Sequence, residues 1–425
     1  MEDIDAWDLH RDGDWLVFSA RMPGRQGARS FRRPLAGGAI IADAPGPVYG
    51  ILGLGGARAA LANDQASEFP QHILAPADDI GAVGHAGVER AAETAALEPL
   101  REMTHEALVA ETLLSWQLEK FAALPLFVVR AETDTATSAA ELGRGEAYEN
   151  LLVAAANLSR AAASLGKDAR IKAVTLDFAL EDQGGDALAY RDGMLALMRR
   201  IEEGLARLGY DRPLFLARME SGTAELTGAA AIEGQWELAW NHGDHRLIFS
   251  APGYMFALDE HDRPTPEARR EMAEMSAAAL AEGDGWHCPR FHLAELLPDE
   301  GMKAIRVVAR AMGDLVIDAE DPLGAGKARG FALHGAENAV KITSVDHDPK
   351  DAQSLILRLD KAPKGSDLRL AYAYGAKPRP GAYPANCGAV RDGWSHIAAT
   401  GRLLHRWALP CLLPVHPGGG ADAGA

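Results

Sequence analysis

The chain has 425 residues, is 48% hydrophobic and 24% charged, and carries a net charge of −17. That length suits two domains or three small ones, and the acidity argues against nucleic acid and anionic membrane surfaces as partners. No apolar run is long enough to cross a bilayer, and the start, MEDIDAWD, lacks the basic and apolar regions of a signal peptide.

Three widely spaced cysteines, Cys288, Cys387 and Cys411, suit neither a disulfide frame nor a zinc site. They predict buried thiols and a reducing compartment; the expected lack of a signal peptide adds synthesis in the cytoplasm. No metal or cofactor is expected.

Residues 1–40 read as a β-rich lead-in, with a strand at Trp15 to Phe18 and a basic loop from Arg25 to Arg33. Val48 to Ala62, VYGILGLGGARAALA, then has the shape of a buried strand, a glycine turn at Gly55-Gly56 and a helix start from Ala57. Asn63 to Leu97 is weakly patterned, holds Pro70, Pro76 and Gly84, and is expected as a loop over a sheet edge or cleft.

Helical spacing predicts helices at 98–121, 146–165 (closed by Gly166), 190–208 (closed by Gly209) and 264–282, the last with Thr265 at its start. Between them lie strand patterns at 126–129, 171–178, 214–219 and 247–249. Strands alternating with helices of these lengths imply a parallel sheet with helices on both faces. After Trp286, short β segments separated by Gly/Pro/Asp turns predict an antiparallel sandwich. The expected division is therefore a lead-in (1–40), an α/β domain (41–285), a β-sandwich (286–417) and a disordered tail (418–425).

The order of four segments resembles the SGNH hydrolases, in particular the sialate O-acetylesterase-like group of carbohydrate esterases. The segments are ILGLGGARA at 51–59, ELGRGEAYENLL at 141–152, AVTLDFALEDQGGDALAY at 173–190 and PGYMFALDEHDRPTPEAR at 252–269. The resemblance covers roughly residues 45 to 285 and implies a flavodoxin-like three-layer α/β/α fold.

Transferred residue by residue, the resemblance places the nucleophilic serine on Ala57 and its polar neighbour on Arg58. The oxyanion-hole glycine falls near Asp134 and Thr135. The acidic residue of the third segment falls on Glu181, and the Asp-x-x-His pair on Glu260 and Arg263. Acyl transfer needs an attacking oxygen or sulfur, a base in reach and donors for the oxyanion. Ala57 cannot attack, and a guanidinium stays protonated and cannot serve as base.

The expectation is thus a degenerate esterase frame without catalytic residues. Its ligand-binding candidates at the sheet's carboxyl edge are Arg58, Asp134, Glu181, Asp182, Tyr254, His261 and Arg263. Carbohydrate or polysaccharide is the expected partner. Homo-oligomer or particle subunits are further partners, and a place as a surface spike of a phage-like particle follows by analogy of fold. Two alternatives stand beside this. One is an active O-acetylesterase in which Ser138 or Ser115 works with His261 and Asp259. The other is a purely structural partner protein.

Several motifs fit bland readings. The run Asn241-His242-Gly243-Asp244-His245 reads as a polar turn rather than a metal site, and Asp346-His347-Asp348 lacks the remainder of a calcium loop. Of the tryptophans, Trp407 is expected in the core and Trp394 at the surface.

Overall fold

The computed structural model describes residues 5–21, 27–85, 90–179, 181, 186–221, 230–375 and 381–418. Contacts divide the chain into two units. The first contains Met1–Ala136, Ala140–Phe178 and Ala196–Phe215; the second contains Thr137–Ala139, Ala179–Leu195 and Leu216–Ala425.

The first unit is organised around the strand Val48–Gly55. It pairs in parallel with Leu126–Thr133 on one side and Ala169–Asp177 on the other, so that Gly55 lies level with Thr133 and Asp177. Ile73–Pro76 and Val83–His85 continue the parallel pairing along Leu126–Thr133, and Leu97–Pro99 closes that edge antiparallel. Leu214–Met219 follows Ala169–Asp177 in strand order, and the division of contacts falls within it. Ile51, Leu52 and Leu54 are all fully buried, as expected of a parallel strand covered on both faces.

The cover can be read from two glycines of that strand. A Cβ on Gly50 would lie 2.6 Å from Leu158, whereas one on Gly53 would collide with Glu106. Residues three apart in a strand face opposite ways. The helix Glu146–Ser164, which carries Leu158, therefore lies on one face, and His105–Glu119, which carries Glu106, lies on the other. This is the α/β/α layering anticipated from the alternation of patterns.

A buried ion cluster sits in the same sheet. Arg130 donates through Nη2 to both carboxylate oxygens of Asp78 at 2.5 Å and through Nη1 to Glu132 at 3.2 Å, and all three side chains are fully buried. Gly84 leaves the space that the Glu132 carboxylate fills.

The lead-in forms a four-stranded antiparallel sheet of Asp5–Asp12, Trp15–Arg21, Arg29–Pro34 and Ile41–Ala42. Phe18, Ala20, Phe31 and Ala42 form its core.

Four local expectations are corrected. The basic stretch expected as a loop becomes a strand from Arg29, because alternation places Phe31 inward and Arg32 toward Asp43 at 2.6 Å. The segment expected as a loop at 63–97 supplies Ile73–Pro76, Val83–His85 and the start of Leu97–Pro99. The alanine-rich Ala57–Ala62 segment makes only a 3₁₀ turn, Ala57–Ala60, ending at an extended Leu61. The first long helix starts at His105 rather than Glu98, where Thr104 Oγ1 accepts from Ala107 N at 3.3 Å.

In the second unit, Leu247–Pro252 stands next to Leu216–Met219 in strand order. The helix Ala230–Trp240 was not anticipated: Glu233, Gln235 and Glu237 interrupt its apolar residues, and it shows little periodicity. Pro266–Glu282 is capped where expected, with Thr265 Oγ1 accepting from Ala268 N at 3.2 Å and Pro266 at the first helical position.

The strands after Trp286 form a seven-stranded sheet and a three-stranded sheet. The first has the order Phe331–His334, Arg369–Tyr372, Cys411–Pro417, Arg290–Leu296, Ala304–Arg310, Asp351–Leu359, Ile342–Asp348; the second is Val316–Ile317, Val390–Ile397, Leu403–Trp407. The pairing is antiparallel except for one parallel seam between Arg290–Leu296 and Cys411–Pro417. Phe291, Phe331 and Tyr372 pack their rings against one another, with 4.9 Å between the centroids of Phe291 and Tyr372.

Candidate functional site

In an open parallel sheet, ligands meet the carboxyl ends of the strands, where the chain leaves each strand and its backbone groups are no longer consumed by the ladder. In the first unit that edge is built from Gly55, Thr133 and Asp177 and from the turns that follow them.

Gly55 is required by sterics. A Cβ there would collide with the Asp177 carbonyl oxygen and lie 2.8 Å from the Ala59 methyl. The turn is fixed by two backbone bonds: Gly56 N donates to Asp177 O at 3.0 Å, and Asp134 N donates to Gly55 O at 3.0 Å. The chain thus leaves the central strand clamped to both neighbours and presents Ala57, exposed, at the first position of the 3₁₀ turn, with Arg58 half-buried beside it.

Asp134 comes to the same edge. Its Oδ1 accepts from Ala136 N at 3.1 Å, and its carboxylate occupies the space that a side chain on Gly145 would need, at the start of Glu146–Ser164. Ala57, Arg58 and Asp134 are therefore brought together on adjoining strand ends, as the sequence pattern implied. The glycine expected near Asp134 as an oxyanion donor is absent from the sequence there.

Beneath this edge lies an acidic group not singled out from the sequence. Glu106 is almost wholly buried in the first turn of His105–Glu119 and receives a 2.5 Å hydrogen bond from Thr175 Oγ1. Its second oxygen, Oε2, is buried with no hydrogen-bond partner among the described residues. Burial pushes the Glu106 carboxyl above the usual carboxylate range, and the charge of Asp177 pushes the same way. It is therefore the neutral acid that this environment favours. Thr104 two residues before it, as helix cap, was the available sequence signal.

The remaining candidates lie in the second unit. Glu260, His261 and Arg263 share one exposed turn. Asp259 organises it, with Oδ1 accepting from His261 N at 2.8 Å and Arg263 N at 3.0 Å, and Oδ2 from Arg263 Nε at 3.3 Å. These backbone donors, with Arg263 foremost, hold the Asp259 carboxyl below its ordinary value. The His261 side chain is 62% exposed and its ring nitrogen lies 3.5 Å from Glu260. Asp259 thus closes the turn.

Glu181 is half-buried and accepts from Ala179 N at 3.3 Å. Asp182 lies outside the described residues. Tyr254, expected to offer a ring to ligand, is fully buried and donates to Ala408 O at 2.6 Å; its neighbour Tyr372 lies 3.5 Å away, hydroxyl to hydroxyl. A tyrosine enclosed in this way has no free face, so its part is structural.

Other expectations resolve similarly. Trp407 is in the core, as expected. Trp394 is not a free surface ring: it is half-buried and meets Trp286 edge to face at 4.9 Å. The three cysteines are free and buried, and burial pushes the Cys288 thiol up to about 12 and the Cys411 thiol further still. Neither is a nucleophile at neutral pH. His242 closes its own turn by bonding His245 O at 2.7 Å, and Asp348 binds Arg306 at 2.9 Å. Ser115 sits within the helix His105–Glu119, half-buried.

No protein family matches the sequence, and no curated protein matches it. Among solved structures the chain is similar to XAC1771, described as a novel carbohydrate acetylesterase from Xanthomonas citri. That likeness has a TM-score of 0.53 and 16% identity, over 91% of this chain and 85% of that one. A weaker likeness to NanS has a TM-score of 0.36 and 12% identity, over 56% of this chain and 98% of that one, too low to bear on the fold. The first shows a shared fold: an α/β part with a parallel sheet and a β-rich C-terminal part.

Proposed function

We propose that the chain is a catalytically degenerate protein on a carbohydrate-esterase frame that binds carbohydrate without cleaving it. One observation carries the reading: the residue presented at the exit of the central strand, where an attacking atom would stand, is Ala57, exposed and held by a turn clamped on both sides. An esterase needs an oxygen or sulfur there, and a methyl group offers neither. Arg58 and Asp134 beside it supply hydrogen-bonding capacity suited to sugar hydroxyls.

The test is hydrolysis of p-nitrophenyl acetate and of acetylated sugars by pure protein, followed by binding to a glycan array. The expected result is no turnover above the buffer rate together with saturable binding to at least one glycan, weakened by Asp134→Ala. Wild-type turnover abolished by His261→Ala would refute the reading and establish an active esterase. Silence in both assays would leave a structural partner protein as the surviving reading and equally refute sugar binding.

A further inference from the structure

The chain has 60 acidic and 43 basic side chains, and the buried arginines Arg130 and Arg406 each hold a carboxylate. Among the described residues, Arg290 and Arg310 hold none. They are directly opposite each other in the antiparallel pairing of Arg290–Leu296 with Ala304–Arg310, a cross-strand arrangement in which like charges repel. Arg290 is 9% exposed, and its Nε is buried with no hydrogen-bond partner among the described residues.

What Arg290 has instead is a ring. Its guanidinium lies over Trp240 at 4.4 Å from the ring centroid. Trp240 in turn meets the His292 ring at 5.2 Å, and its own indole Nε1 is buried without a partner. Stacking occupies the flat face of a guanidinium and leaves the N–H groups at its edge available.

The surroundings carry one sign. The charges of Arg290 and Arg310 add to burial in pushing His287 and His292 below the ordinary histidine range, and burial with Arg310 pushes Arg290 down to about 10. The acid tied to this neighbourhood, Asp392, is committed to Arg406 at 2.6 Å. The result is a group of donors, two of them, Arg290 Nε and Trp240 Nε1, buried and unsatisfied among the described residues, with no carboxylate paired to either arginine. A buried charge without a partner is costly to the fold, and an unsatisfied buried donor is rare. Both are resolved by a ligand that brings acceptors and negative charge.

We propose that Arg290, Arg310 and Trp240 form a binding site for an oxyanion, a carboxylate, sulfate or phosphate group carried by a ligand. The planar fork of each arginine matches two oxygens of such a group, and the Trp240 indole holds one fork in place. The site stands on the second unit alone and is independent of what happens at Ala57.

The experiment titrates the full chain with sodium glucuronate, sulfate or phosphate against sodium chloride at matched ionic strength. Tryptophan fluorescence and the thermal midpoint are the readouts. At least one oxyanion is expected to give a saturable signal and a raised midpoint that chloride does not. Arg290→Met, which keeps an apolar stem against Trp240, and Arg310→Gln, at an exposed position, are each expected to weaken binding about tenfold or more. Arg246→Gln, which removes a surface ion pair elsewhere, should leave the affinity unchanged.

A response to glucuronate assigns the site to a carboxylate-bearing saccharide; one confined to sulfate or phosphate assigns it to those esters. No saturable response to any of the three, or wild-type affinity in both Arg290→Met and Arg310→Gln, overturns the proposal. Should Arg290→Met fail to fold, Arg310→Gln alone decides it.

Discussion

Replacing Arg130 by methionine tests how the first unit tolerates charge in its sheet. The guanidinium holds Asp78 by two 2.5 Å bonds and Glu132 by one of 3.2 Å, with all three side chains sealed from solvent. Methionine fills much of the volume but leaves two carboxylates facing each other in a medium where neither is solvated. Breaking a buried pair by removing one partner costs about 3–5 kcal/mol. Against a total stability of roughly 5–15 kcal/mol, that is about a fifth of the fold's margin at the least.

Urea unfolding followed by far-UV circular dichroism is the assay. With a denaturant slope of ~3 kcal/mol/M the midpoint should fall by about 1 M or more. The loss should be nearly the same in low and high salt, because a sealed cluster is hardly screened. Adding Asp78→Leu and Glu132→Leu to the same chain should restore most of the loss, since apolar replacement of a whole buried cluster is often neutral or better. A single-variant loss under about 1 kcal/mol, or one that vanishes in salt, would refute the argument, because those are the marks of an exposed pair.

Three further outcomes follow from the same packing. Glu106 is raised in the fold, so the neutral carboxyl is the form the fold prefers. Its contribution is most favourable below the unfolded value near 4.3 and is lost as pH rises through the raised folded value; Glu106→Gln should flatten that slope in thermal midpoints measured across pH, and an unchanged slope would count against the assignment. Gly53→Ala places a methyl against Glu106 and within 2.8 Å of Thr175 Oγ1, and overpacking of this kind costs ~1–3 kcal/mol; an unchanged urea midpoint would show that the helix His105–Glu119 yields freely. Tyr254→Phe removes the 2.6 Å bond to Ala408 O and should cost about 1–3 kcal/mol through the unsatisfied carbonyl, with no effect on ligand binding; a change in glycan affinity would contradict its structural placement.

The elements legible in the sequence were those with a local cause. Val48–Gly55 announced itself by an unbroken apolar run ending in two glycines, and Pro266–Glu282 by a cap, a proline and helical spacing. The elements missed were those made by partners far along the chain. Ile73–Pro76 ends on a proline and has only four residues, yet becomes a strand because Leu126–Thr133 offers it an edge. Cys411–Pro417 carries two prolines and is still paired on both sides, one of them parallel.

The alanine run after Gly56 shows the converse. Its intrinsic helix preference is high, but the clamps on Gly55 and Gly56 set the direction of exit, and the chain turns once and leaves. At the candidate site, the exposed alanine and its acidic neighbour were readable because position after a strand is a local property. Glu106 and Arg290 were not, because their meaning lies in what is missing around them. No spacing in the sequence reveals that a carboxyl oxygen or a guanidinium N–H has been left without a partner.

The distribution of sulfur gives the molecule a built-in clock for its own opening. All three thiols lie in the second unit, all are buried, and the first unit has none. A thiol-reactive dye added to the native protein should therefore report only when the second unit breathes or unfolds, at a rate set by that opening. The thiols thus report the opening of the second unit from the natural sequence, with no residue changed.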